Sequence, residues 1–364
     1  MLETIEKPIR SGGSEWERPN NLEGPRKAVQ AKWYKPVTWK ATVAGLVGTL
    51  FYAFSMGAIY LTLQYELYYL TPFAWFLGGT AVTSFFVLGH DCAHSAFLKS
   101  NRWNDFWGQI FFLFPFYPYH AWKYSHNAHH KFTNRLEINA KDIYYDNAWI
   151  PLTVNQYKLL KRFHPNKARL YKMGRYFPPF GSFVHNILTH FYPQKFNESQ
   201  QQKVKNSYVI LFLGMISISS LLVYFTGSIW SIFHYYIIPG IFFQFWMSLY
   251  TFQHHTSEDM KFYNPKEWNQ YKGQILSTYN SLSPRFLSFL HMNIDIHTPH
   301  HLSTAIPCYH LRPAYEDLKK SIYREDMKEG KLDLGYYLQQ IRNCHLWDDK
   351  NLCYKKFSEV ENIK

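Results

Sequence analysis

Apolar residues in this chain gather into two long blocks. Neither Lys nor Arg occurs from Ala41 to Leu98 or from Asn206 to Met260, gaps of 58 and 55 residues. A helix that crosses a bilayer needs about 20 apolar residues, so each gap has room for two. The first holds Ala41 to Leu63, a polar break at Gln64-Tyr65-Glu66, and Pro72 to Leu88. Thr71-Pro72 opens the second helix with proline in its first turn, where the missing N–H costs nothing. The second gap holds Tyr208 to Phe225, a Thr226-Gly227-Ser228 turn, and Ile229 to Phe252. The pattern predicts an all-α integral membrane protein with four transmembrane helices in two hairpins: 41–63, 72–88, 208–225 and 229–252.

Between the hairpins, Trp107 to Tyr119 is apolar but too short to cross, and with Pro115 and Pro118 inside it reads as interfacial or re-entrant. Lys158 to Tyr192 mixes basic and aromatic residues, the composition of helices at headgroup level or of an ordinary cytoplasmic face. After Met260 the chain is polar. The expected organisation is a cytoplasmic N-terminal segment (1–40), a membrane domain (41–315) and a cytoplasmic C-terminal tail (316–364). A helical cap joins the spans.

Charge gives this plan an orientation. The formal net charge is +13. If both hairpin tips face outward, every Lys and Arg falls on one side, the positive-inside pattern. Both termini and the central region are then expected to be cytoplasmic. The basic balance thus reads as topology and attraction to anionic lipid, with no basic stripe of the kind that binds nucleic acid. Aromatic residues make up 20% and charged residues 18% of the chain, the latter below the roughly 25% of soluble domains. Four cysteines without a C-x-x-C pair exclude a disulfide scaffold and argue against a thiolate zinc site. The first 40 residues lack the apolar core of a cleavable signal peptide.

Of 18 histidines, eight fall in three groups: His90 and His94; His126, His129 and His130; His297, His300 and His301. On a helix, positions i, i+3 and i+4 share a face, so each group offers its imidazoles to one point. At this histidine content an H-x3-H pair arises by chance about once, but H-x-x-H-H only about 0.04 times, and here it occurs twice. Imidazole ligation suits Fe, Zn, Cu or Ni. Eight ligands are too many for one zinc and suit two metals with open positions. Two iron ions, able to change oxidation state and activate dioxygen, fit best. A site at the membrane edge implies a hydrophobic substrate and an aqueous electron donor. Asp91 is placed to accept an imidazole N–H and fix its tautomer, and Asp295 is a second candidate for that task.

The strings Gly89-His90-Asp91-Cys92-Ala93-His94, Trp122-Lys123-Tyr124-Ser125-His126-Asn127-Ala128-His129-His130 and His297-Thr298-Pro299-His300-His301-Leu302 resemble the three histidine boxes of the membrane fatty acid desaturases. The flanks, including Asp146-Asn147-Ala148-Trp149, are most similar to the bacterial and plastid-type Δ12 acyl-lipid branch. The resemblance runs from about Ala41 to Tyr315. It implies a ninth ligand at the end of the fourth span, His255, with His254 close behind. It also implies a ligand or supporting role for His291, while His120 reads as a hydrogen-bonding residue. Ala93 stands where many relatives have glycine. His164, His185, His190, His234, His310 and His345 fit no cluster and read as structural or surface residues.

The resemblance implies O2-dependent insertion of a cis double bond into a lipid acyl chain, an oleoyl chain in that branch. A separate electron donor, ferredoxin or cytochrome b5, is expected, since no His-Pro-Gly-Gly string, flavin or nicotinamide fingerprint is visible. The same boxes also serve Δ9 and ω3 desaturases, hydroxylases and ketolases. A metal transporter would place its ligands in mid-span, whereas these histidines fall at or beyond the span ends.

Overall fold

The structure is a computed structural model describing residues 18–136 and 146–361; the first 17 residues of the expected N-terminal segment lie outside it. A short helix α1 (Glu23–Ala28) precedes α2 (Thr38–Gln64) and α3 (Thr71–Ala93). Next come α4 (Asn101–Phe112) and α5 (Tyr119–Phe132), then α6 (Val154–Phe163), α7 (Pro165–Tyr176) and α8 (Pro178–His190). The long α9 (Glu198–Thr226) is followed by one helical run made of α10 (Trp230–Ile232), a π-turn at Phe233–Ile237, and α11 (Ile238–His255). Among the described residues four helices are long and apolar enough to cross a membrane: Thr38–Gln64, Thr71–Ala93, Glu198–Thr226 and Trp230–His255.

The first three contain their predicted spans, and the fourth covers 229–252 from Trp230 onward, with the other ends extended for identifiable reasons. Helix α9 begins ten residues before the apolar run. Its polar first turns continue the helix beyond the apolar window, and the Gln200 side chain accepts the Asn197 backbone N–H at 3.3 Å. It ends at Gly227, whose φ of +67° is the left-handed conformation that closes a helix without Cβ strain. Helix α3 continues past Leu88 to Ala93, so His90 and Asp91 lie in its last turns.

Helix α3 is the central element. It packs along both α2 and α11, and 72% of its most apolar window is buried inside the protein. Phe85, Phe86, Phe112, Trp122 and Phe243 fill the core between them. Helix α9 stands at the periphery, with 6% of that window buried, touching α4, α5 and α10. The Trp107–Tyr119 stretch becomes the end of α4 and a turn through Pro115 and Phe116, with Trp103, Phe106 and Trp107 exposed along one side. The basic aromatic stretch becomes three short helices: α6 packs on α7, α7 on α8, and α8 on α11.

The remaining elements are β1 (Tyr279–Leu282), α12 (Arg285–Leu290), α13 (Thr298–Leu302), α14 (Cys308–Lys319), β2 (Lys328–Lys331), α15 (Leu334–Asn343), β3 (Leu346–Asp348), β4 (Cys353–Lys355) and α16 (Phe357–Glu361). Strands β1 and β2 pair in parallel and β3 and β4 antiparallel. An all-α expectation therefore needs correction by two small sheets. Strands of three or four residues are too short to carry the alternation that reveals a strand in sequence. The last 20 residues described fold back: Leu346, Phe357 and Val360 pack on Tyr157 and Ala168 of α6 and α7.

Candidate metal centre

The last turns of α3, helix α5, the end of α11 and helix α13 bring their histidines together. Donor nitrogens of His90, His94, His126, His130 and His300 lie within 4.8 Å of one another, and those of His129, His255 and His301 form a second such group. His297 joins the second group edge-on, its Nε2 lying 2.8 Å from His255 Nε2. The rings pair Nε2 to Nε2: His90 with His300 at 3.1 Å, His126 with His130 at 3.1 Å, and His129 with His301 at 3.3 Å. Burial holds His126, His130, His300 and His301 well below the usual imidazole range, and neighbouring imidazoles push the same way. These rings are therefore neutral bases at physiological pH.

Their outer nitrogens fix which lone pairs point inward. His129 Nδ1 lies 2.6 Å from the fully buried carboxylate of Asp146, which can only accept. Gln274 Nε2 donates to the His130 carbonyl at 2.6 Å, so its Oε1, 2.7 Å from His301 Nδ1, is the acceptor there. Each ring thus directs its Nδ1–H at an acceptor and turns its Nε2 toward the other, 3.3 Å away. A metal cation is what such a pair fits, with carboxylate and amide acceptors behind the rings as metal-binding histidines have them. Buried donor atoms without a partner, among them His94 Nε2 and His255 Nδ1, add to the same picture.

Asp91 lies 3.2 Å from His90 Nδ1 and also accepts the Cys308 backbone N–H, tying α3 to α14. His254 stacks on His297 with centroids 4.0 Å apart and its Nε2 unpartnered. His291 stands apart from the rings, its Nδ1 2.9 Å from the Tyr250 hydroxyl and its ring against Trp246. His120 also stands apart, 3.9 Å from Asp105. Asp295 meets no histidine: it accepts from Ser283 N and Ser288 Oγ and faces Arg312.

Sequence reasoning did not assign roles to Asp146 or Gln274. Asp146 was visible only as part of a resembling string, and Gln274 lies in a π-turn far from any box, without a signal. It also set aside His190, which is buried between Ser125 Oγ (2.9 Å) and Asn186 Oδ1 (2.9 Å) beside the second box.

A largely apolar cavity of about 630 Å³ adjoins the rings. One wall is His90, His126 and His255; the floor reaches Thr83, Phe243 and Trp246 between α3 and α11; the outer wall is α7 and α8. Those two helices touch at Gly174 and Gly181, where a Cβ on Gly181 would meet the Gly174 carbonyl oxygen at 2.6 Å. A buried cluster of imidazoles able to hold metal ions, beside an apolar slot and on helices fit to cross a bilayer, defines the class: a membrane protein with a candidate metal centre open to a hydrophobic chain.

Comparison with known proteins makes this specific. The fatty acid desaturase family model matches residues 66–331, and the chain belongs to that family. It is 37% identical over 254 residues to the sn-1 oleoyl-lipid 12-desaturase of Arthrospira platensis, covering 69% of this chain and 70% of that protein. Identity is 33% over 315 residues to the sn-1 oleoyl-lipid 12-desaturase of Synechocystis sp. (strain ATCC 27184 / PCC 6803 / Kazusa), covering 85% and 86%. It is also 33% over 281 residues to the chloroplastic omega-6 fatty acid desaturase of Spinacia oleracea, covering 77% of this chain and 60% of that one. The protein is a membrane fatty acid desaturase.

Proposed function

We propose that it inserts a second cis double bond at position 12 of an oleoyl chain esterified in a membrane lipid. His90, His94, His126, His129, His130, His255, His297, His300 and His301 would hold two iron ions. The convergence of imidazole nitrogens into two tight groups carries this reading, because it suits metal cations, and His90, His126, His129, His255 and His297 also line the apolar cavity. When bound, the iron pair supplies O2 activation and removal of two hydrogens from adjacent methylenes. The balance is one O2, two electrons and two protons in, with two waters and an alkene out.

The chain's own residues supply the rest. Asp146, Asp91 and Gln274 fix ring tautomers and orientations. Apolar walls exclude water. Beyond the new double bond an oleoyl chain has five C–C bonds, each about 1.5 Å long, so its methyl end needs less than about 8 Å. Thr83, on the cavity floor, lies seven residues before His90, about 10 Å along the helix axis, which gives that room.

The distribution of Lys and Arg supports hairpin tips facing outward and a site and termini in the cytoplasm. The electrons then come from a separate soluble carrier, a ferredoxin or cytochrome b5. An acidic carrier matches the basic face. Expression in a host whose lipids carry only monounsaturated chains, followed by gas chromatography of the fatty acids, tests the reading. A Δ9,12 diene is expected; an unchanged profile from iron-loaded protein supplied with a donor overturns it.

A further inference from the structure

Arg175 on α7 is 3% exposed and lines the acyl cavity. Its Nε donates to the Tyr171 hydroxyl at 3.2 Å and its Nη2 to the Trp149 carbonyl at 2.8 Å, while Nη1 is buried without a partner among the described residues. Among the described residues no carboxylate pairs with it. The faces of Tyr171 and Phe252, 5.5 and 6.0 Å from the guanidinium carbon, are its other company. A guanidinium cannot shed its charge in a protein, and leaving one buried with an idle donor is costly. Such a group persists where a ligand completes it.

Its position indicates the ligand. The Trp149 carbonyl it holds belongs to the turn that carries Asp146, and Trp149 Nε1 donates to Thr251 Oγ1 at 2.7 Å, one helical turn before His255. Arg175 is thus tied to the level of the rings, in the outer wall, whereas the floor toward Thr83 and Phe243 is apolar. One end of an acyl chain is a methyl group and the other a carbonyl. We propose that Arg175 Nη1 donates to the ester carbonyl oxygen of the bound acyl chain and sets the distance from that carbonyl to the carbons at the metal centre. With one nitrogen idle, a single neutral acceptor is the better match; a phosphate or sulfonate would ask for several donors. Position is then measured from the carboxyl end. The inference rests on the desaturase reading and adds the group that makes the measurement.

The test uses Arg175→Lys and Arg175→Gln in the full-length protein, expressed in the monounsaturated host, with membrane level and bound iron measured for each. Double-bond positions of the dienes are read by mass spectrometry of derivatised products. Wild type is expected to give one position. Arg175→Gln is expected to spread product onto neighbouring positions and raise apparent KM for oleoyl-lipid in mixed micelles by about tenfold or more, with Arg175→Lys partly restoring both. Thr251→Val, which loosens the same turn but keeps the guanidinium, is expected to lower turnover without moving the bond. Neutral glycolipid and phosphatidylglycerol, offered separately, should respond alike to Arg175→Gln if the ester carbonyl is held; an effect confined to the anionic lipid overturns that assignment in favour of the headgroup. Lower yield at an unshifted position and unchanged KM overturns the proposal and leaves Arg175 as a pin for the turn. Absence of diene from wild type instead refutes the desaturase reading.

Discussion

Asp146→Asn is the sharpest single test of the metal centre. The Asp146 carboxylate is fully buried and satisfies three donors: His129 Nδ1 at 2.6 Å and Ala148 N at 2.9 Å on one oxygen, Asn134 N at 2.6 Å on the other. An amide has one acceptor oxygen. Either it keeps His129 and Ala148 and turns its NH2 against the Asn134 N–H, or it keeps Asn134 and turns NH2 against the other two. Each orientation sets donor against donor, at about 1–3 kcal/mol for a buried donor left unpaired. It also removes the charge that biases His129 toward the tautomer with a bare Nε2. Losing such a support behind a metal-binding histidine typically costs about 10–100-fold in metal affinity, or about 1.4–2.7 kcal/mol. The assay is chelator competition on detergent-solubilised protein, read as metal retained per chain, alongside turnover and thermal unfolding. Wild-type folding with a competition midpoint within twofold of wild type would refute the claim that Asp146 acts through His129.

Three further outcomes follow from the same geometry. Gly181→Ala places a Cβ against the Gly174 carbonyl, so α7 and α8 must separate; a loss of about 1–3 kcal/mol is expected, visible as a lower unfolding temperature and reduced diene yield. His255→Ala should abolish desaturation and lower bound metal, while His254→Ala, which loses a stacking partner of His297, should retain measurable activity; equal loss in both would refute the distinction drawn from the ring groups. Burial pushes the Glu361 carboxyl up, but hydrogen bonds from Lys172, Tyr157 and Lys161 outweigh it and hold the group down at about 2. Its contribution to docking of the tail is therefore complete above about pH 4.5 and is lost as pH falls toward 2. Limited acid proteolysis should release α16 within that window, and Glu361→Gln should release it at neutral pH.

The spans were legible because crossing a bilayer demands long uncharged runs, and two gaps of more than 50 residues without Lys or Arg leave few alternatives. The box histidines were legible because 3,4-spacing on a helix is a local property. What escaped was set by tertiary contact. Asp146 reaches His129 across 17 positions and Gln274 reaches His301 across 27, distances at which sequence carries no periodic signal. Arg175 looked like one cation in a basic stretch, and only the folding of α7 onto α8 makes it a buried lining group. Strands β1 and β2 pair over an interval of nearly fifty residues, with Lys328-Glu329-Gly330-Lys331 giving no hint of a strand.

Among the described residues the C-terminal segment touches no histidine of the boxes, yet it braces the outer side of the acyl slot. Tyr171, on which Arg175 leans, donates to the His345 carbonyl, and Glu361 gathers Tyr157, Lys161 and Lys172. Substitutions at Phe357, Val360 or Glu361, which meet α6 and α7 rather than the helices that carry the rings, can thus alter which lipids enter. In evolutionary terms, selectivity and reactivity are inherited on different parts of one polypeptide, and one can change without the other.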